Sequence, residues 1–122
     1  MNIAKQIPAF LLGFIFLVFG ADFFIHFMPK HEMPGGDAGA FAGLLYKTGY
    51  LTVVKVLEVT IGALLFIKPV RALAMLLIAP IIINIMLFEL CLAHAPGIGV
   101  GLFIINIIGI ALNKEKYLGI LA

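Results

Sequence analysis

A chain of 122 residues with 64% hydrophobic and only 11% charged side chains has too little polar surface to cover a soluble globule of its size. Its mean hydropathy of +1.23 implies an integral membrane protein of one domain. The net charge of +2 gives no support for nucleic acid as a partner, and the single cysteine, Cys91, excludes an internal disulfide or a Cys-x-x-Cys motif.

A bilayer core of ~30 Å takes roughly 20 helical residues, and four runs approach that length. The first, Ile7–Met28, opens on Pro8 in its first turn and closes at Pro29. Lys5 before it resembles the start of a secretion signal, yet the 22 apolar-rich residues exceed a signal core, so the run is expected to stay as a span. The outer loop 29–48 follows, PKHEMPGGDAGAFAGLLYKT. Pro34-Gly35-Gly36 marks a turn there. Asp37 is expected to cap a short amphipathic helix, Ala38–Lys47, whose Phe41, Leu44 and Leu45 form an apolar face.

The second run is Gly49–Ile67 and the third Val70–Ala93, with Pro80 in its middle removing the hydrogen bond to the Leu76 carbonyl. The fourth, Ile98–Leu112, is followed by Asn113-Lys114-Glu115-Lys116, and the closing YLGILA is expected in the interface. Four spans put both termini on one side, with Lys5, Lys68, Arg71, Lys114 and Lys116, against Lys30 and Lys47 on the other. The excess of basic residues places the termini in the cytoplasm. The expectation is an all-α, multi-pass four-helix bundle of the inner (plasma) membrane, with spans near 7–28, 49–67, 70–93 and 98–112.

The second span contains TVVKVLEVTIG, which puts Lys55 and Glu58 inside an apolar helix. A charge at that depth costs at least ~2.5 kcal/mol and must pair or face a wet cavity. At ~1.5 Å per residue, Asp22 and Lys55 reach similar depths, Glu58 lies near the midplane, and Asn84 is also deep. His26, four residues after Asp22, falls on the same helix face, and Glu89 sits near the outer end of its own helix. Lys55 is thus expected to bridge carboxylates from two helices, in a buried polar cluster of Asp22, His26, Lys55, Glu58, Asn84 and Glu89 in the outer half. The cytoplasmic half shows almost no polar side chain. The competing reading is that these charges only fasten helices together.

GFIFLVFGADFFIHF, GYLTVVKVLEVTIGALLF and APIIINIMLFEL together resemble the DoxX-like family of small four-helix membrane proteins. The glutamate-then-glycine element of that family falls on Glu58 and Gly62. The resemblance implies a redox-associated subunit, with quinone or a similar small apolar ligand as cofactor, and carries over Glu58, Lys55, Asn84 and His26. It also implies, through distant relatives, the alternative of a non-enzymatic assembly or interaction factor, so enzyme activity stays open. Expected partners are the lipid bilayer and a redox protein or a second copy of the chain. Met28, His31, Glu32 and Met33, with His26, His94 and Cys91, offer soft ligands for copper(I). Their spacing fits no metal motif, which disfavours copper. No phosphate loop, Ser-His-Asp set or HExxH occurs.

Overall fold

The computed structural model describes residues 3–27 and 35–121. These residues form helices and turns with no strand among them: α1 (Ile7–Ile25), α2 (Gly36–Lys47), α3 (Tyr50–Leu64), α4 (Arg71–Leu87), α5 (Ile98–Leu112) and α6 (Leu118–Leu121). A π-helical turn, Phe88–Leu92, extends α4, and 3-10 turns precede α1 and α4 and follow α5.

The runs Ile3–Ile25 and Lys68–Leu92 are each long and apolar enough to cross a membrane. The number reaches four if two bent pairs count as one span each: α2 with α3, and α5 with the segment Lys114–Ile120, both bent by 81°. The helix α5 covers the stretch its sequence marks, but the other limits move. The first run stops at Ile25, not Met28, because His26 turns into the left-handed region (φ 60°) and its N–H caps the Asp22 carbonyl at 2.7 Å. The second shortens at both ends, and Gly49, at φ 83°, makes the corner with α2 that a side chain would resist. The third begins one residue later, at Arg71, and passes Pro80 as continuous helix. The helix α2 starts at Gly36 with Gly35 as its N-cap; Asp37 lies in the first turn and makes no capping bond.

In the packed chain α1 lies against α3 and α5, and α4 lies against α5 and α3. The helices α1 and α3 meet through glycine. A Cβ on Gly62 would stand 3.3 Å from the Gly13 carbonyl oxygen, the Leu17 nitrogen and the Phe16 Cβ. Around this seam Leu12, Phe16, Leu65, Ile78, Ile82 and Leu102 are buried. Outward, Phe14, Val53 and Leu73 are 64%, 61% and 55% exposed, an arrangement suited to hydrocarbon and costly in water.

The end that holds both termini carries a buried polar network. Arg71, 7% exposed, stands where α3 finishes. Its Nε donates to the Leu65 carbonyl at 2.8 Å and Nη2 to the Phe66 carbonyl at 3.2 Å, which satisfies backbone oxygens left over at the helix end. Nη1 donates to Gln6 Oε1 at 3.3 Å, and the guanidinium stacks 4.7 Å from the Phe10 ring centre. Gln6 Nε2 then donates to Asn113 Oδ1 at 2.9 Å, and Asn113 Nδ2 donates to the Lys5 and Gly109 carbonyls. Asn106 Nδ2 ties α5 to the Met75 carbonyl at 3.0 Å, and the Tyr117 hydroxyl donates to the Ala72 carbonyl at 3.0 Å. Burial pushes the Tyr117 phenol above its ordinary 10.0. The expectation that this half lacks polar side chains is therefore corrected. Gln6, Arg71 and Asn113 sit at helix ends, where leftover backbone carbonyls give partners, and Asn106 lies within α5. In the closing segment Tyr117 is buried, whereas Leu118 and Ile120 are exposed.

Replacing Arg71 by Met strands the Leu65 and Phe66 carbonyls and Gln6 Oε1, and should cost roughly 2–4 kcal/mol in detergent unfolding. Lys68→Met, at an exposed position, should change stability by less than about 0.5 kcal/mol. At the α1–α3 seam, Gly62→Val should cost about 1–3 kcal/mol by overpacking. Gly101→Ala, which meets nothing within 4 Å, should be neutral or better in the same measurement.

Candidate functional site

Lys55 and Glu58 lie three residues apart on α3, so their side chains meet on one face. Lys55 Nζ stands 3.1 Å from Glu58 Oε2. Glu58 is 4% exposed. The contact is a short ion pair, yet Oε2 has no hydrogen-bond partner. The two facts agree if the ammonium sits close to the oxygen but off the direction a hydrogen bond requires. Charge is thus balanced at this carboxylate while its hydrogen bonding is not.

Beside the pair lies a cavity of about 490 Å³. Its walls are Phe16 and Phe19 of α1, Leu51 and Val54 of α3, Ile81 and Ile85 of α4, and Leu102 of α5. The helix α2 closes one side with Phe41, Ala42 and Leu45. It is held there by Phe41 against Phe88, ring centres 6.0 Å apart, and by Tyr46 edge-on to Phe23, also 6.0 Å. Polar side chains in the wall are those of Lys55, Glu58, Asn84 and Tyr50. Asn84 Nδ2 donates to the Pro80 carbonyl at 2.8 Å, so the amide leans back along its own helix. An apolar chamber of this size with a few grouped polar atoms is the usual form of a small-molecule pocket.

Of the six residues expected to cluster, Lys55, Glu58 and Asn84 line this cavity, and Asp22, His26 and Glu89 are not among its lining residues. The Lys55–Glu58 ion pair lies within α3. Asp22 is half-buried and has contacts of its own. His26 is exposed as the left-handed end of α1, so it has left the helix face that its four-residue spacing from Asp22 implied.

Glu89 has a clear alternative task. Its Oε1 accepts from the Gly97 and Gly99 N–H groups at 3.1 and 2.9 Å, capping the start of α5. A Cβ on Gly97 would come within 2.5 Å of Oε2, and one on Gly99 within 2.6 Å of Oε1, so both glycines make room for the carboxylate. The π turn and left-handed His94, at φ 56°, return the chain so that this contact forms. The signal was legible as a glutamate followed by two glycines at the mouth of the next helix.

Met28, His31, Glu32 and Met33 lie outside the described residues. Among the described residues no three His, Cys, Asp or Glu side chains gather as a metal site. Cys91 is exposed. Compared with protein-family models, curated proteins and solved structures, the chain matches none.

If Glu89 serves as the cap of α5, Glu89→Ala should cost about 1–2 kcal/mol in thermal unfolding. Glu89→Gln, which keeps a carbonyl acceptor, should cost less than half of that in the same measurement.

Proposed function

We propose that the chain is a DoxX-like four-helix bundle of the inner membrane, with both termini cytoplasmic, serving as a redox-associated subunit that holds a quinone or similar small apolar ligand. The observation that carries this reading is the ion pair at the wall of the 490 Å³ apolar cavity. A quinone-like molecule needs a greasy channel for its tail and a few polar atoms for its head, and the cavity offers both. The resemblance of the first three spans supports the redox association. Exposed Lys5, Lys68, Lys114 and Lys116, grouped at the end with both termini, support the orientation.

One observation favours a second reading. The Lys55–Glu58 pair is complete in charge within α3, so it requires no ligand to neutralise it. In that case the chain is a membrane assembly factor, and the apolar chamber receives a side chain or helix of another protein.

The readings separate in one experiment. Purified protein in mild detergent is titrated with decylubiquinone and its thermal unfolding followed. A ligand at ~100 times its Kd adds about 2.7 kcal/mol, which should appear as a rise of several °C. Glu58→Gln should lose most of that rise. No rise in the unsubstituted protein, with a stoichiometric partner captured from mild detergent, favours the assembly reading.

A further inference from the structure

The reading of the cavity as a ligand site leads to a statement about the ligand's head group. We propose that the cavity selects a head that donates a hydrogen bond: a phenol or hydroquinone over a molecule whose head carries only carbonyl or ether oxygens. The inference rests on that reading and adds a chemical class to it.

The donor and acceptor inventory of the wall is unequal. A carboxylate accepts at two oxygens, with about four lone-pair positions, and donates nothing. Among the described residues the Lys55 ammonium is the only partner shown for Glu58, and even that contact leaves Oε2 without an aligned donor. Asn84 has its Nδ2 committed to the Pro80 carbonyl, which leaves the amide with an acceptor to offer. The donors in the wall are the Lys55 ammonium, which already stands at the carboxylate, and the hydroxyl of Tyr50, a residue 63% exposed.

Two kinds of head group then behave differently. A carbonyl or ether oxygen can only accept, and the ammonium is its natural donor. The ammonium has three hydrogens and can serve that oxygen while staying at Glu58, but Oε2 then still lacks a donor, a costly state in an apolar wall. A hydroxyl head donates to Glu58 and accepts from Lys55 in the same pose. It enters the pair without breaking it and fills the acceptor that the fold leaves open. Lys55 has the freedom this requires, since its flexible side chain is 23% exposed.

The test uses two stable probes of equal length, 4-heptylphenol and its methyl ether, so that no oxidation confounds the comparison. Binding of each to the detergent-solubilised full chain is measured calorimetrically, beside decylubiquinone and the cavity-blocking variant Ala42→Trp. The expected result is saturable phenol binding roughly tenfold or more tighter than the ether, lost in Ala42→Trp. In Glu58→Gln the ratio should fall towards one. Should that variant fail to fold, the phenol-to-ether ratio of the unsubstituted protein still decides. Equal affinity for phenol and ether overturns the inference and leaves the cavity reading intact. Phenol binding that persists in Ala42→Trp also overturns it, since the site then lies elsewhere. If none of the three probes binds saturably, the cavity reading itself fails.

Discussion

The guanidinium of Arg71, held by the carbonyls just past the end of α3 and by Gln6, is the contact on which the arrangement of helices depends. It sits where α3 ends and α4 begins, and through Gln6 and Asn113 it reaches the start of α1 and the end of α5. Four helix ends are thereby fixed to one another by groups that have no water to fall back on. Because the same residues satisfy leftover backbone oxygens, the network adds no unmet polar atom of its own. The packing of Leu12, Leu65 and Ile78 above it then follows from the positions of those ends.

At the far end of the helices the balance is different. Glu89 Oε1 accepts from two N–H groups at the start of α5, and aromatic contacts hold α2 in place. Between the two ends stands Glu58, buried and matched in charge, yet short of a donor. A fold that satisfies its other buried side-chain polar atoms among the described residues leaves this one open, at the wall of its large cavity. Such exceptions in an otherwise satisfied interior call for an explanation in terms of function.

Much of the fold was legible because apolar runs of helical length have few other options. The helix Ile98–Leu112 begins and ends where the sequence marks it, between Gly97 and Asn113. What the sequence hid was local backbone choice. His26 leaves the helix in a left-handed turn, so a spacing of four residues from Asp22 no longer means a shared face. Depth along a span could group Lys55, Glu58, Asn84 and Glu89 by level, but not by azimuth. Packing turns Glu89 to α5, while Asn84 borders the cavity. The Arg71 network was missed for a related reason. A basic residue after Lys68-Pro69 reads as a topology marker, and nothing in the run of residues says that a helix end lies within its reach.

The exposed apolar faces of Phe14, Val53 and Leu73 have a consequence for how tightly anything can be held inside. In a bilayer the competitor for the chamber is the acyl tail of a neighbouring lipid, already as oily as the walls. Exclusion from water therefore drives a guest into the membrane but hardly from the membrane into the protein. Occupancy of the proposed site would follow the guest's mole fraction among the lipids, and discrimination would fall to the handful of polar atoms around Glu58.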